Sequence, residues 1–267
     1  MQNAGKYWLI VLMLLGGGVA AWYYFSETRP PAPVVVPEPS APAAVESTAP
    51  RYPVPRPRRL QQGERELMPL PPLDDSDSYF ALALIDLLGG DIDTQLVKTG
   101  LIERIVTTTD NLTRSHIAER IRPLRAVPGT FLADAEEDEE SYTLDPDNFA
   151  RYEFLVAMLE RADIEQLVDT YRRFYPLFQE AYVKLGYPDL YFNDRVVEVI
   201  DHLLETAGPD DPIRLVRPHV SYEFADPNLE SLSSGQKMLL RMGPENAARV
   251  KQFLSTLRSQ LVTPDGT

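Results

Sequence analysis

One run of residues constrains this chain more than any other: positions 7–25, from Tyr7 to Phe25, hold 19 residues without a charge. As an α-helix such a run is about 28 Å long, close to the thickness of a bilayer's hydrocarbon core. Tyr7 and Trp8 stand at one end, and Trp22, Tyr23, Tyr24 and Phe25 at the other. Amphipathic rings settle at headgroup level, so the sequence predicts a helix that stays in the membrane. The competing reading is a cleaved signal peptide, for which Val19, Ala20 and Ala21 supply small residues. Lys6 and the terminal amine precede the run, whereas Glu27 and Arg29 after it cancel. The positive-inside rule then keeps the N-terminus in the cytoplasm and exports the remainder. Gly16, Gly17 and Gly18 are either tolerated in the span or let a second transmembrane helix approach closely.

The next segment excludes regular structure. Residues 29–73 contain 13 prolines in 45 positions, and proline fixes φ and removes the backbone donor that helix and sheet need. A polyproline-type arm of this length reaches at most roughly 140 Å, against nearer 40 Å for a flexible coil. Residues 50–57 (PRYPVPRP) read either as plain spacer or as a recognition peptide. The neighbouring arginines, 51, 56, 58, 59 and 65, suit anionic lipid or polymer. The chain thus divides into an anchor (1–28), a proline-rich linker (29–73), a domain (74–262) and a short tail (263–267).

Helical spacing dominates the domain. Ser76 is placed to cap a helix carrying Phe80, Ala83, Leu84, Leu87 and Leu88, with Gly89-Gly90 ending it. A second helix is expected over 100–109, stopped by Asp110-Asn111. Thr130, Phe131 and Leu132 with Tyr142, Thr143 and Leu144 suggest a hairpin flanking the acidic run 134–140. That run lacks the alternating ligands and turn glycine of a calcium loop and reads as a solvated turn. A helix should start at Asp145-Pro146-Asp147-Asn148, with Phe149, Tyr152, Val156 and Leu159 on one face. The strongest period runs from Ile164 to Tyr182, with Pro176 expected to kink or divide it. Asn193 is expected to cap a helix burying Val196, Val197, Ile200, Leu203 and Leu204, closed by Gly208-Pro209. Residues 214–224 suggest one or two short strands, and helices over 232–242 and 244–262 end the domain. The expected class is mainly α, a helical bundle with a small β-hairpin or short strands.

Charge and composition remove several functions. Residues 74–262 hold 19 basic against 34 acidic side chains, a balance that repels phosphate backbones and argues against nucleic acid as partner. With no cysteine there are no disulfides, thiolate metal sites or thiol nucleophiles. The hydrolase elbow, phosphate loop, dinucleotide fingerprint and paired-histidine zinc motif are missing. His116, His202 and His219 show no ligand spacing, and nothing calls for a metal or cofactor.

Two constellations remain. Asp194, Glu198 and His202 are successive i, i+4 neighbours on one helix face and could share protons, or be a dipole partner followed by an exposed pair. Ser233 lies near Lys237 in a nucleophile-like run, but at a helix start, where capping is the simpler reading. The second constellation is aromatic. Tyr171, Tyr175, Phe178, Tyr182, Tyr187, Tyr191 and Phe192 fall within 22 residues, as core or as a groove for glycan or peptide. Tyr187, Tyr191 and Phe192, with Asn193 and Arg195, are the candidate binding residues.

YPLFQEAYVKLGYPDLYFNDRVVEVIDHLL (175–204) and GQKMLLRMGPENAARVK (235–251) resemble the bacterial domain of unknown function 3014 family. TTTDNLTR (107–114), RPLRAVPGTF (122–131), NFARYE (148–153) and DPNLE (226–230) fit the same pattern. The resemblance spans roughly 70–262 and implies a bacterial envelope protein with an N-terminal inner-membrane span and a periplasmic domain. It carries no activity, cofactor or catalytic residues. Two function classes follow: a non-enzymatic tethered module binding another envelope protein or a wall component, and a membrane-tethered hydrolase using Asp194, Glu198 and His202.

Overall fold

The computed structural model describes residues 49–54, 69–127, 129–136, 141–209, 212–219 and 221–262. The anchor expected at 7–25, most of the proline-rich arm, four residues of the acidic run (137–140) and the tail 263–267 lie outside the described residues. Among the described residues no helix is long and apolar enough to cross a membrane.

Among these residues there are eight α-helices and one small antiparallel sheet. The helices are α1 (Asp77–Leu88), α2 (Leu101–Asn111), α3 (Asp147–Arg161), α4 (Ile164–Lys184), α5 (Phe192–Leu204), α6 (Pro227–Glu230), α7 (Ser234–Arg241) and α8 (Pro244–Val262). The strands are β1 (Ala133–Ala135), β2 (Ser141–Leu144), β3 (Arg214–Val216) and β4 (Glu223–Phe224), hydrogen-bonded in that order. The mainly helical class with short strands is therefore observed. The sheet joins residues more than 70 positions apart through Ser141↔Val216, and Leu215↔Phe224 adds its last strand.

Apolar burial explains the arrangement. In α2, Leu101, Ile102 and Val106 are fully buried, packed with Phe80 of α1 and Phe174, Phe178 and Tyr182 of α4. Leu70 and Leu73, from the linker side, join this core. A second core lies under the sheet, where Leu144, Leu215 and Phe224 meet Leu240 of α7. The last helix lays its stripe along α5: Leu254, Leu257 and Leu261 pack with Val197 and Ile200. Gly243, between α7 and α8, adopts φ +86°, and a Cβ there would fall 2.5 Å from the Phe149 ring. Only glycine allows that turn and that approach.

Several local expectations are corrected by tertiary contacts. Ser76 precedes α1 but turns its hydroxyl back to Leu73 O, and no side-chain cap forms. Pro176 does not divide α4; one helix runs from 164 to 184, held by Phe174, Leu177 and Phe178 buried on either side of the proline. Its missing donor is outweighed by that packing. β1 begins at Ala133, because Leu132's N–H and C=O are both taken by the Asn148 side chain of α3. Asn193 is the second residue of α5, fully buried, and not its cap. The Phe192 N–H instead donates to Gln179 Oε1 of α4 at 2.9 Å. α5 ends at Leu204, before Gly208-Pro209, and α2 continues through Asp110 to Asn111. Ser233 caps α7 as expected, in a capping box with Gln236.

Candidate functional site

Two polar regions flank the first turn of α5. The inner one centres on Asp110, whose side chain is 4 % exposed. Arg195 donates to it from Nε at 2.9 Å, and also reaches Asp110 O at 2.8 Å and Thr113 Oγ1 at 2.7 Å. Arg114 donates to Asp110 Oδ2 at 2.9 Å and to the Tyr187 hydroxyl at 3.2 Å, and that hydroxyl donates to the same Oδ2 at 3.3 Å. Glu198 sits at the solvent rim, 3.0 Å from Arg195 Nη1. Burial acts against the Arg195 charge, but Glu198 and Asp110 outweigh it and raise its pKa. A buried carboxylate this fully partnered is costly to disturb and has little capacity left for a ligand.

The outer region holds a piece of the chain's own arm. In residues 49–54, Pro50, Tyr52 and Val54 are half-buried, while Ala49, Arg51 and Pro53 are exposed, the alternation of an extended segment lying on a surface. Asp194, in the first turn of α5, accepts the N–H groups of Arg51 at 2.9 Å and Tyr52 at 2.8 Å. Asn193 Nδ2 donates to Tyr52 O at 2.8 Å, and Asn193 Oδ1 accepts from the Tyr171 hydroxyl at 3.1 Å. Tyr52 packs against the cluster of Val197, Ile200 and Leu261. Arg51 lies 5.6 Å over the Tyr52 ring.

Tyr171 and Tyr175 complete the floor, their rings 5.8 Å apart. Burial pushes the Tyr175 phenol up to about 12; the Asn193 backbone N–H opposes this, and Asp194 and Tyr191 add to it. Burial also raises the Tyr171 pKa well above its ordinary value, with Tyr175 and Asp194 adding to it. Both stay neutral at physiological pH. The surface therefore offers one carboxylate for two successive amides, one amide side chain for a carbonyl, and an apolar slot for a ring. That combination reads backbone plus one aromatic side chain, the chemistry of extended-peptide recognition.

The sequence candidates separate between these regions. Asn193 and Asp194 hold the arm segment. Tyr187 and Arg195 belong to the Asp110 network. Phe192 is 1 % exposed and stacks on Phe178 in the core, and Tyr191 is half-buried. Asp194, Glu198 and His202 do share a face of α5, but each has a different partner: the arm, Arg195, and Ser233 Oγ at 2.9 Å from His202 Nε2. Ser233 is itself 7 % exposed and engaged with Gln236 N. Sequence reasoning did not single out Asp110, which resembles a helix stop, or Tyr52, whose only signal was its place in PRYPVPRP.

A separate cleft of about 790 Å³ opens between the 3-10 turn Gly90–Thr94, the loop around Arg125, and Arg151 and Phe154 of α3. It contains none of the candidate residues.

A family model described as "Protein of unknown function (DUF3014)" matches residues 101–258. No curated protein and no solved structure matches the chain.

Proposed function

The chain belongs to the DUF3014 family, and from that premise we propose that it is a non-enzymatic adaptor domain of the bacterial cell envelope. It is tethered to the inner membrane through residues 7–25, stands in the periplasm on its proline-rich arm, and docks another envelope protein or a wall component. One observation supports this reading above all: the α5–α8 face holds an extended proline-flanked segment through Asp194, Asn193 and a slot for Tyr52. Sites that read backbone amides with a carboxylate and seat one ring are binding devices, and they need no reactive group.

The test is in-cell crosslinking of the full chain against a variant with residues 50–54 replaced by glycine and serine, which uncovers the face. Partner recovery should rise in the uncovered variant, fall when Asp194→Asn is added, and be competed by a free PRYPV peptide. Recovery insensitive to both Asp194→Asn and the peptide would overturn this surface as the docking site. The hydrolase alternative through Asp194, Glu198 and His202 makes a different demand: Glu198→Gln should abolish function at normal protein level and normal melting. The adaptor reading expects that variant to be fully active.

A further inference from the structure

The segment seated on α5 has features of an exchangeable ligand. Among the described residues its hydrogen bonds run to Asp194 and Asn193, with no pairing to the sheet. Its side-chain specificity resides in Tyr52, half-buried against α5 and α8. Fourteen residues, 55–68, separate it from Pro69, enough for roughly 45 Å of extended chain. Every copy of the chain carries both the segment and the face that fits it. Overall charge favours the approach of a basic arm: arginines 51, 56, 58, 59 and 65 lie in and after the segment, whereas residues 74–262 as a whole hold 34 acidic against 19 basic side chains.

We propose that residues 50–54 of one copy dock on the α5–α8 face of a second copy, by exchange of the same contacts they make in their own chain. The inference rests on the reading of this face as a peptide-docking surface, and it adds a second copy of the chain to the partners that surface takes. The intramolecular seat closes the face in an isolated chain. Chains confined side by side raise the local concentration of neighbouring segments and favour exchange. Asp194 selects for two consecutive free amides before the docking carbonyl, so a proline at position 51 or 52 is rejected. The apolar surface of Val197, Ile200 and Leu261 selects an aromatic ring at position 52.

Complementation tests this. One full-chain variant carries Tyr52→Ala, leaving an open face without a competent segment. Another carries Asp194→Asn, leaving a competent segment without a face. The double variant supplies the baseline for association through any other part of the chain, and circular dichroism melting checks that all three fold. In mild detergent, with the chains carrying donor and acceptor fluorophores, the two single variants should associate at least roughly tenfold more tightly than the double variant does with itself, as expected for loss of a charge-assisted hydrogen bond. Equal association would overturn exchange between copies. A free PRYPV peptide added to the Tyr52→Ala chain then separates the two readings. Binding of the peptide without association of the copies leaves the peptide-docking surface standing and removes the second copy as partner. Absence of both removes the surface as well.

Discussion

Two carboxylates in this fold, Asp77 and Asp194, each take consecutive backbone amides from a distant segment, one amide on each oxygen. Asp77 takes those of Gly100 and Leu101 at 2.8 and 2.7 Å, and Asp194 takes those of Arg51 and Tyr52 at 2.9 and 2.8 Å. The hydrogen bonds are nearly identical, but what lies behind them differs. Past Gly100 the chain enters α2, whose Leu101, Ile102 and Val106 are wholly enclosed by α1 and α4. Around Tyr52 the apolar contact is limited to half-buried residues, Tyr52 with Pro50 and Val54 on either side, and none is enclosed. The same polar geometry becomes permanent architecture in the first region and a releasable attachment in the second, because apolar burial sets the free energy of opening. Asp110 marks the far end of the scale, enclosed and held by Arg195, Arg114 and Tyr187.

The largest effect should come from Asp110→Ala, which takes from the part-buried Arg195 its buried carboxylate partner and leaves it only Glu198 at the rim. The expected loss is about 3–5 kcal/mol of global stability in chemical denaturation; a loss below about 1 kcal/mol would mean that the network is not structural. Alkaline titration comes next. Tyr175 is held protonated in the fold up to about pH 12, against an ordinary value of 10. A raised folded pKa means that its stabilising contribution is complete below pH 10 and disappears as pH climbs to 12. Burial raises Tyr171 and Tyr182 as well, so Tyr175→Phe should remove only its own share of the decline, roughly 2 kcal/mol. Asp77→Ala, which uncaps α2, should cost about 1 kcal/mol of global stability. Asp194→Asn should cost less than about 1 kcal/mol globally, because it frees only the arm segment. It should nonetheless speed limited proteolysis near residues 50–54 severalfold. Equal global losses for Asp77→Ala and Asp194→Asn would erase the distinction between the two regions.

The helices were legible where periodicity was strong and local. Ile164 to Tyr182 shows its buried face in the sequence alone. The Ser233 cap was legible too, because its partner Gln236 is three residues away. Misreadings fall where the deciding contact is distant. Asp110 followed by Asn111 resembles a helix stop until Arg195, 85 positions later, turns it into a buried anchor. Asn193 resembles a cap until Gln179 of the preceding helix supplies that function, leaving its amide for Tyr52. Pro176 resembles a break until the rings around it hold the helix together. The docking of Tyr52 could not be read locally at all, since a proline-rich spacer and a proline-rich ligand differ only in whether a matching surface exists.

Amide hydrogen exchange at Arg51 and Tyr52 tests the central claim most directly. Both N–H groups are bound by Asp194, so both should exchange measurably slower than unstructured amides. The Asp194→Asn chain should lose that protection while the amides of α2 and α4 keep theirs. Exchange at the unstructured rate in the unmodified chain, or protection that survives Asp194→Asn, would contradict the account.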